Sequence, residues 1–291
     1  MAEPLVESER GATAAAAPER DDLERLEIDL LLEAIYRRYG FDFRQYAAAS
    51  LKRRLWRRIH AEKLESVSGL QERVLHDPGC MERLLLDLSI SVTAMFRDPS
   101  FYVAFREKVA PLLRTYPFTR IWNAGCSTGE EVYSLAILLH EEGLYERTRI
   151  YATDINEAVL ERAKAGVFPL DKMREYTENY IRAGGKAAFS EYYVAAYDGA
   201  QFARGLVENV VFAQHNLVSD RSFNEFNVIM CRNVMIYFDR SLQGRVHELF
   251  HESLARFGVL ALGHKETIAF SPFESSYQEL DAQERIYRKV R

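Results

Sequence analysis

From Thr119 onward the chain alternates short apolar runs with longer amphipathic ones, and this rhythm constrains its fold more than any other feature. TRIWNAG (119–125) has the pattern of a strand and GEEVYSLAILLHEEG (129–143) that of a helix opening at a turn. RIYATDI (149–155) then reads as a second strand and NEAVLERAKAG (156–166) as a second helix. After a break over residues 167–212 the rhythm resumes, with FNVIMC (226–231) as a strand, residues 239–258 as a helix and VLALG (259–263) as a strand. Strands that alternate with helices imply a parallel sheet covered on both faces. ETIAF (266–270) and ERIYRKV (284–290) are expected to close it as an antiparallel hairpin. The break is rich in Tyr and Phe and carries the strand-like YYVAAYD and ENVVFAQ, which suggests a small antiparallel insertion.

The part before Thr119 is of another kind. Residues 1–20 hold hardly any large apolar side chain, so burial cannot offset their ordering entropy, and a disordered tail is expected. From Asp22, the residues Leu23, Leu26, Leu30, Leu31, Ala34 and Ile35 recur at helical spacing and end at Arg37, Arg38 and Gly40. The next helix sets Tyr46, Leu51, Leu55 and Ile59 against a face of Lys52, Arg53, Arg54, Arg57, Arg58 and Lys63. Shorter helices at about 68–76 and 81–88 complete an all-helical domain over 21–90. Residues 91–118 supply a linking segment and one more helix, and 119–291 the sheet domain with 167–212 inserted.

Charge and cysteine usage exclude other classes. The 38 basic residues against 43 acidic ones give a net charge of −5, so the basic helix stands out as a local field suited to an acidic partner. Overall acidity and the lack of a second basic patch argue against nucleic acid as that partner. Cys80, Cys126 and Cys231 are odd in number and form no CxxC pair, which excludes a full disulfide framework and a zinc site of that type. No run approaches the ~20 apolar residues that span a bilayer, and the acidic start MAEPLVESERG differs from a signal peptide, so a cytoplasmic protein is expected.

In an open α/β sheet the ligand sits beyond the carboxyl ends of the strands, where the first strand-to-helix turn must let it approach the backbone. NAGCSTGEE (123–131) is that turn: Gly125 and Gly129 remove side chains, and Ser127 and Thr128 add small polar ones. It is neither GxGxxG nor GxxxxGK[ST]. Glu130 and Glu131 at the helix start would repel a pyrophosphate and suit a cationic ligand, or else only complement the helix dipole. Asp154 at the end of the second strand is placed to accept hydrogen bonds from ribose hydroxyls. An adenosine without pyrophosphate, beside a cation, describes S-adenosylmethionine better than a nicotinamide dinucleotide.

NAGCSTGEEVYSLAILL, YATDINEAVLERAKAGVF, HNLV (215–218) and above all CRNVMIYFD (231–239) resemble the chemotaxis receptor methyltransferases of the CheR type. SISVTAMFRD (89–98) and GHKETI (263–268) are similar to further segments of that family, so the resemblance spans about residues 22–290. It implies a Rossmann-like S-adenosylmethionine-dependent methyltransferase sheet with a small all-helical N-terminal domain and a small antiparallel β insertion. The implied activity is transfer of the methyl group of S-adenosylmethionine to glutamate side chains on chemoreceptor cytoplasmic helices, leaving S-adenosylhomocysteine, with no metal. The alternatives are a silent S-adenosylmethionine-binding scaffold and a methyltransferase with another acceptor.

Motif by motif, the resemblance places Ser91, Thr93, Arg97 and Gly125 at the cofactor, Glu131 at its amino group, Asp154 at its ribose, Asn216 with Leu217 on its adenine side, and Asn233 and Val234 along the pocket. Ser91 stands where the family commonly has Asn. Arg97 and Tyr237 fall nearest the transferred methyl, where they hold either the acceptor's carboxylate or the cofactor's own. A glutamate is already ionised at neutral pH, so transfer to it needs desolvation and alignment rather than a general base. Arg53, Arg54, Arg57 and Arg58 are the candidates for docking a Glu-rich receptor helix. In some members of that family a Gly-rich loop of the insertion grips a receptor's C-terminal peptide; the stretch here, IRAGGKAAFSEYYVAAYDGAQFARG (181–205), is different and longer, so no such tether is expected.

Overall fold

A computed structural model describes residues 16–88, 93–196 and 199–291 of the chain, which forms two compact units, 1–88 and 89–291. The expected tail thus lies outside the described residues up to position 15, and Ala16 already begins a helix.

Among its described residues the first unit is four helices: α1 (Ala16–Tyr39), α2 (Ala48–Ala61), α3 (Val67–His76) and α4 (Pro78–Leu88). Ser66 caps α3 by accepting from the Gly69 N–H at 3.1 Å. The core takes Leu31, Leu32 and Ile35 from α1, with Leu51, Leu55 and Ile59 from α2 and Leu70 and Leu84 from the last two helices. Leu23, Leu26 and Leu30, read as part of the same buried stripe, are each more than half exposed.

The second unit opens with α5 (Pro99–Ala104), a π-helical turn (Phe105–Val109) and α6 (Ala110–Leu113). Pro111 has no N–H to continue the α ladder, so the one helix expected there is interrupted. The sheet domain then runs β1 (Thr119–Ala124), α7 (Glu130–Glu141), β2 (Thr148–Asp154), α8 (Glu157–Ala165), β3 (Val167–Phe168), α9 (Met173–Arg182), β4 (Tyr193–Ala196), β5 (Gly199–Phe202), β6 (Val210–Gln214), β7 (Phe226–Cys231), α10 (Arg240–Ser253), β8 (Leu254–Leu262), β9 (Tyr277–Asp281) and β10 (Ile286–Lys289).

Seven strands form one sheet in the order β6-β2-β1-β7-β8-β10-β9, with β6, β2, β1, β7 and β8 parallel and β10 and β9 an antiparallel edge. The chain winds outward from β1 through β2 to β6 and then returns to β7 on the other side of β1. The reversal opens a crevice at the carboxyl ends of β1 and β7, which is where such sheets bind ligands.

Three details correct the sequence reading. ENVVFAQ is not part of the antiparallel insertion; its strand β6 is the outer parallel strand of the main sheet, paired with β2. The separate three-stranded sheet is β3-β5-β4. LARFG, read as a helix end, is already the start of β8, and ETIAF is irregular and ends in a turn, so the edge hairpin is built by β9 and β10.

Candidate active site

The turn after β1 is held down from the end of β2. Gly125 and Cys126 both donate their N–H to the Thr153 carbonyl, at 2.8 and 2.9 Å. The Asp154 carboxylate accepts from the Ser127 N–H at 2.9 Å and from the Asn156 N–H at 3.0 Å. Burial pushes the Asp154 pKa up, and these backbone donors work against the rise. The cap of α8 is Asn156, which accepts from Ala158, so Asp154 is not spent as a helix cap. Its carbonyl receives the His215 N–H at 3.1 Å, which brings Asn216 and Leu217 beside it. Asn216 closes its own turn by accepting from the Val218 N–H.

Across the crevice, β7 is followed directly by Arg232, whose side chain is 1% exposed. Its guanidinium donates to Glu131 at 2.8 Å, to Asp98 at 2.9 Å and to the Arg97 carbonyl at 3.2 Å, and lies 4.0 Å above the Phe101 ring. Burial works against this charge, but Glu131 and Asp98 outweigh it and hold the Arg232 pKa above its ordinary value. Glu131 also accepts from Asn123 Nδ2 at 2.6 Å. Two carboxylates against one guanidinium leave the cluster one negative charge in excess, which favours a cationic ligand.

The next residues are shaped by Glu266, 4% exposed. Its carboxylate accepts the N–H groups of Asn233, Val234, Met235 and Gly263 at 2.7–2.9 Å, and this fixes Asn233 at a φ of +62°. Burial raises the Glu266 pKa against the pull of those donors. Val234 is thereby laid over Gly125, where an added Cβ would lie 2.5 Å from Val234 Cγ2. Gly125 has a φ of +77°, so both its conformation and its missing side chain are used. Tyr237 ends the short 3-10 turn that follows.

Most residues expected at the site are accordingly gathered around this crevice. Gly125, Asn216, Leu217, Asn233 and Val234 lie on the loops after β1, β6 and β7, Glu131 lies in the first turn of α7, Asp154 ends β2, and Arg97 is bound to the cluster through its backbone. Thr93 is half-buried in the segment before Arg97, and Ser91 lies outside the described residues. Sequence reasoning missed Arg232, Glu266, Asn123 and Asp98. Arg232 and Glu266 stand inside the quoted CRNVMIYFD and GHKETI, and for Arg232 a charged residue directly after an apolar strand was the available signal.

The basic face of α2 is narrower than its sequence suggests. Arg54 is 4% exposed and donates to the Leu88 carbonyl, and Arg58 is paired with Asp87 and Glu62. Neither guanidinium is presented as a docking cation. Arg53 and Arg57 are exposed, although Arg57 also reaches Asp87.

The residues at the crevice fit S-adenosylmethionine. Asn123 Oδ1 and Ser127 Oγ are buried there without a hydrogen-bond partner, so polar capacity remains for a ligand. Sheet order, glycine turn and anionic cluster together define an S-adenosylmethionine-dependent methyltransferase. The family models agree: "CheR methyltransferase, SAM binding domain" matches residues 91–285 and "CheR methyltransferase, all-alpha domain" residues 26–89. The chain belongs to the CheR methyltransferase family.

Among its relatives is a Pseudomonas putida protein named as methyltransferase Cher3, 53% identical over 91% of this chain and 97% of its own length. Chemotaxis protein methyltransferase 2 of Pseudomonas aeruginosa is 32% identical over 80% of this chain and 84% of its own. The chemotaxis protein methyltransferase of Listeria monocytogenes is 30% identical over 80% and 87%. Among the described residues, no helix is long and apolar enough to cross a membrane.

Proposed function

We propose that this protein methylates glutamate side chains on the cytoplasmic helices of chemoreceptors, as part of a chemotaxis-type adaptation pathway. The observation that carries this reading is the cluster that Glu131 and Asp98 form around the buried Arg232 guanidinium at the sheet's switch point, in a chain whose relatives are named chemotaxis protein methyltransferases. When bound, S-adenosylmethionine supplies a methyl group activated by its sulfonium.

The chain's own residues do the rest. Glu131 draws in the cofactor's ammonium group, and Asp154, pinned by two backbone donors, takes the ribose. Asn216 and Leu217 cover the adenine side, and Asn233 and Val234 form a wall set by Glu266. Thr93, Ser91 and Arg97 complete the cofactor set from the segment that precedes α5. Arg97 and Tyr237 hold a carboxylate in line with the transferred methyl. No base is needed, because the acceptor is already an anion, and alignment of this kind can supply about 7 kcal/mol or more. Exposed Arg53 and Arg57 give the acidic acceptor helix a docking charge.

The test is transfer of radiolabelled methyl groups to purified receptor cytoplasmic fragments, followed by mild base. Label that leaves as volatile methanol identifies a carboxylate ester and supports the reading. Base-stable label on the receptor, or label on another acceptor only, overturns it.

A further inference from the structure

Arg97 sits between two residues in the left-handed region, Phe96 at a φ of +51° and Asp98 at +56°. Such backbone is strained for non-glycine residues and persists only where the surroundings impose it. On the Asp98 side the imposing group is Arg232. On the Phe96 side it is the inserted subdomain.

Phe96 is fully buried, with its ring centroid 5.0 Å from Tyr102, 5.2 Å from Tyr180 and 6.2 Å from Phe189. Tyr180 and Phe189 both belong to the insertion. One residue earlier, the Met95 carbonyl accepts from Asn179 Nδ2 of α9 at 3.1 Å. The Phe96 N–H donates to Ser134 Oγ of α7 at 2.8 Å, so the segment is gripped between α7 and α9. The grip is itself anchored. Glu141 at the end of α7 accepts from the hydroxyls of Tyr180 and Tyr192 and from the Lys186 N–H, and it pairs with Arg106.

We propose that the inserted subdomain positions Arg97, acting through Asn179 and through the aromatic nest around Phe96. The insertion is not needed to complete the main sheet, since its strands form a sheet of their own. What it contributes is a wall that keeps the 95–97 backbone in one conformation and so fixes where the Arg97 side chain starts. The inference rests on the reading of Arg97 as a residue of the methyl-transfer site. Asn179 and Phe96 are positioning residues, because they act through Arg97.

The experiment uses the full chain and the variants Asn179→Ala and Glu178→Ala, the latter an exposed control on the same helix. The Arg97 Nε–Hε resonance, assigned by its loss in Arg97→Lys, should shift or broaden in Asn179→Ala and stay unchanged in Glu178→Ala. Turnover on receptor fragments should fall about tenfold in Asn179→Ala, as expected for a displaced aligning group. In an Arg97→Ala background the same substitution should cost nothing further, whereas a merely structural role would cost the same again. An unchanged Arg97 resonance, or a full additive loss in the Arg97→Ala background, overturns the brace. If the unmodified protein methylates no receptor fragment, the functional reading falls and the resonance alone decides the brace.

Discussion

The buried guanidinium of Arg232 pairs with the half-buried carboxylate of Glu131, 2.8 Å between Nη1 and Oε2, across the switch point of the sheet. The pair joins the carboxyl end of β7 to the start of α7, and through Asp98 and the Arg97 carbonyl it reaches the segment that carries the proposed aligning arginine.

Replacing Arg232 with Met keeps most of its volume and leaves two carboxylates facing each other without a cation. Breaking a fully buried pair costs about 3–5 kcal/mol, and the partial exposure of Glu131 and Asp98 makes that an upper bound here. Thermal unfolding should shift down accordingly, and calorimetry should find binding of S-adenosylhomocysteine lost. Adding Glu131→Gln should recover stability but not binding. Recovery of both would show that the cluster serves the fold alone.

Gly125→Ala tests the contact that closes the crevice. The new Cβ would meet Val234 at 2.5 Å on a backbone with a φ of +77°. Relieving the clash with Val234→Ala leaves the backbone strain, of order 1 kcal/mol. The single variant should bind S-adenosylhomocysteine at least about tenfold more weakly, and the double variant should recover part of that. Isothermal titration reads both values.

The narrowed basic face separates docking from folding. Arg53→Glu combined with Arg57→Gln should raise the Michaelis constant for receptor fragments, with a difference that shrinks as salt rises, and should leave S-adenosylhomocysteine affinity unchanged. Arg54→Glu buries an unpaired charge against the Leu88 carbonyl and should instead lower the unfolding midpoint of the helical unit. Equal kinetic effects from both changes, without loss of stability in the second, would contradict this assignment.

Glu141 links stability to pH. Burial pushes its pKa up, but the Tyr180 hydroxyl, the Lys186 N–H and Arg106 outweigh that and hold it below its ordinary value of 4.5. A carboxylate with a depressed native pKa stabilises the fold fully above its unfolded pKa, and that stability is lost as pH falls through the native pKa. The stability difference between the protein and its Glu141→Gln variant should therefore be constant above about pH 5 and shrink below about pH 4.5. Denaturant titrations across that range measure it. A difference that grows on acidification would reverse the sign and contradict the assigned partners.

The strands and helices after Thr119 were legible because each carries its own periodicity, and the glycine turn because its residue types are unusual beside a strand. Which sheet a strand joins is not written in its period, so β6 was grouped with the insertion although it pairs with β2. ETIAF has strand-like composition, but Glu266 turns inward to bind the Asn233–Met235 backbone, and Phe270 takes a φ of +64°. Tertiary demand overrides local propensity there. Arg232 escaped notice because its meaning lies in Glu131, 101 positions away. Arg54 and Arg58 looked like surface charge because a helical wheel does not show the Leu88 carbonyl or Asp87 waiting opposite.

The central claim is that a glutamate side chain receives the methyl group, and locating the group tests it most directly. A receptor cytoplasmic fragment would be incubated with the protein and S-adenosylmethionine carrying a deuterated methyl, then digested and sequenced by mass spectrometry. The label should appear on glutamate side chains of the fragment and be nearly absent with the Arg97→Ala protein. Label on lysine, on a terminus or on no receptor residue would contradict it.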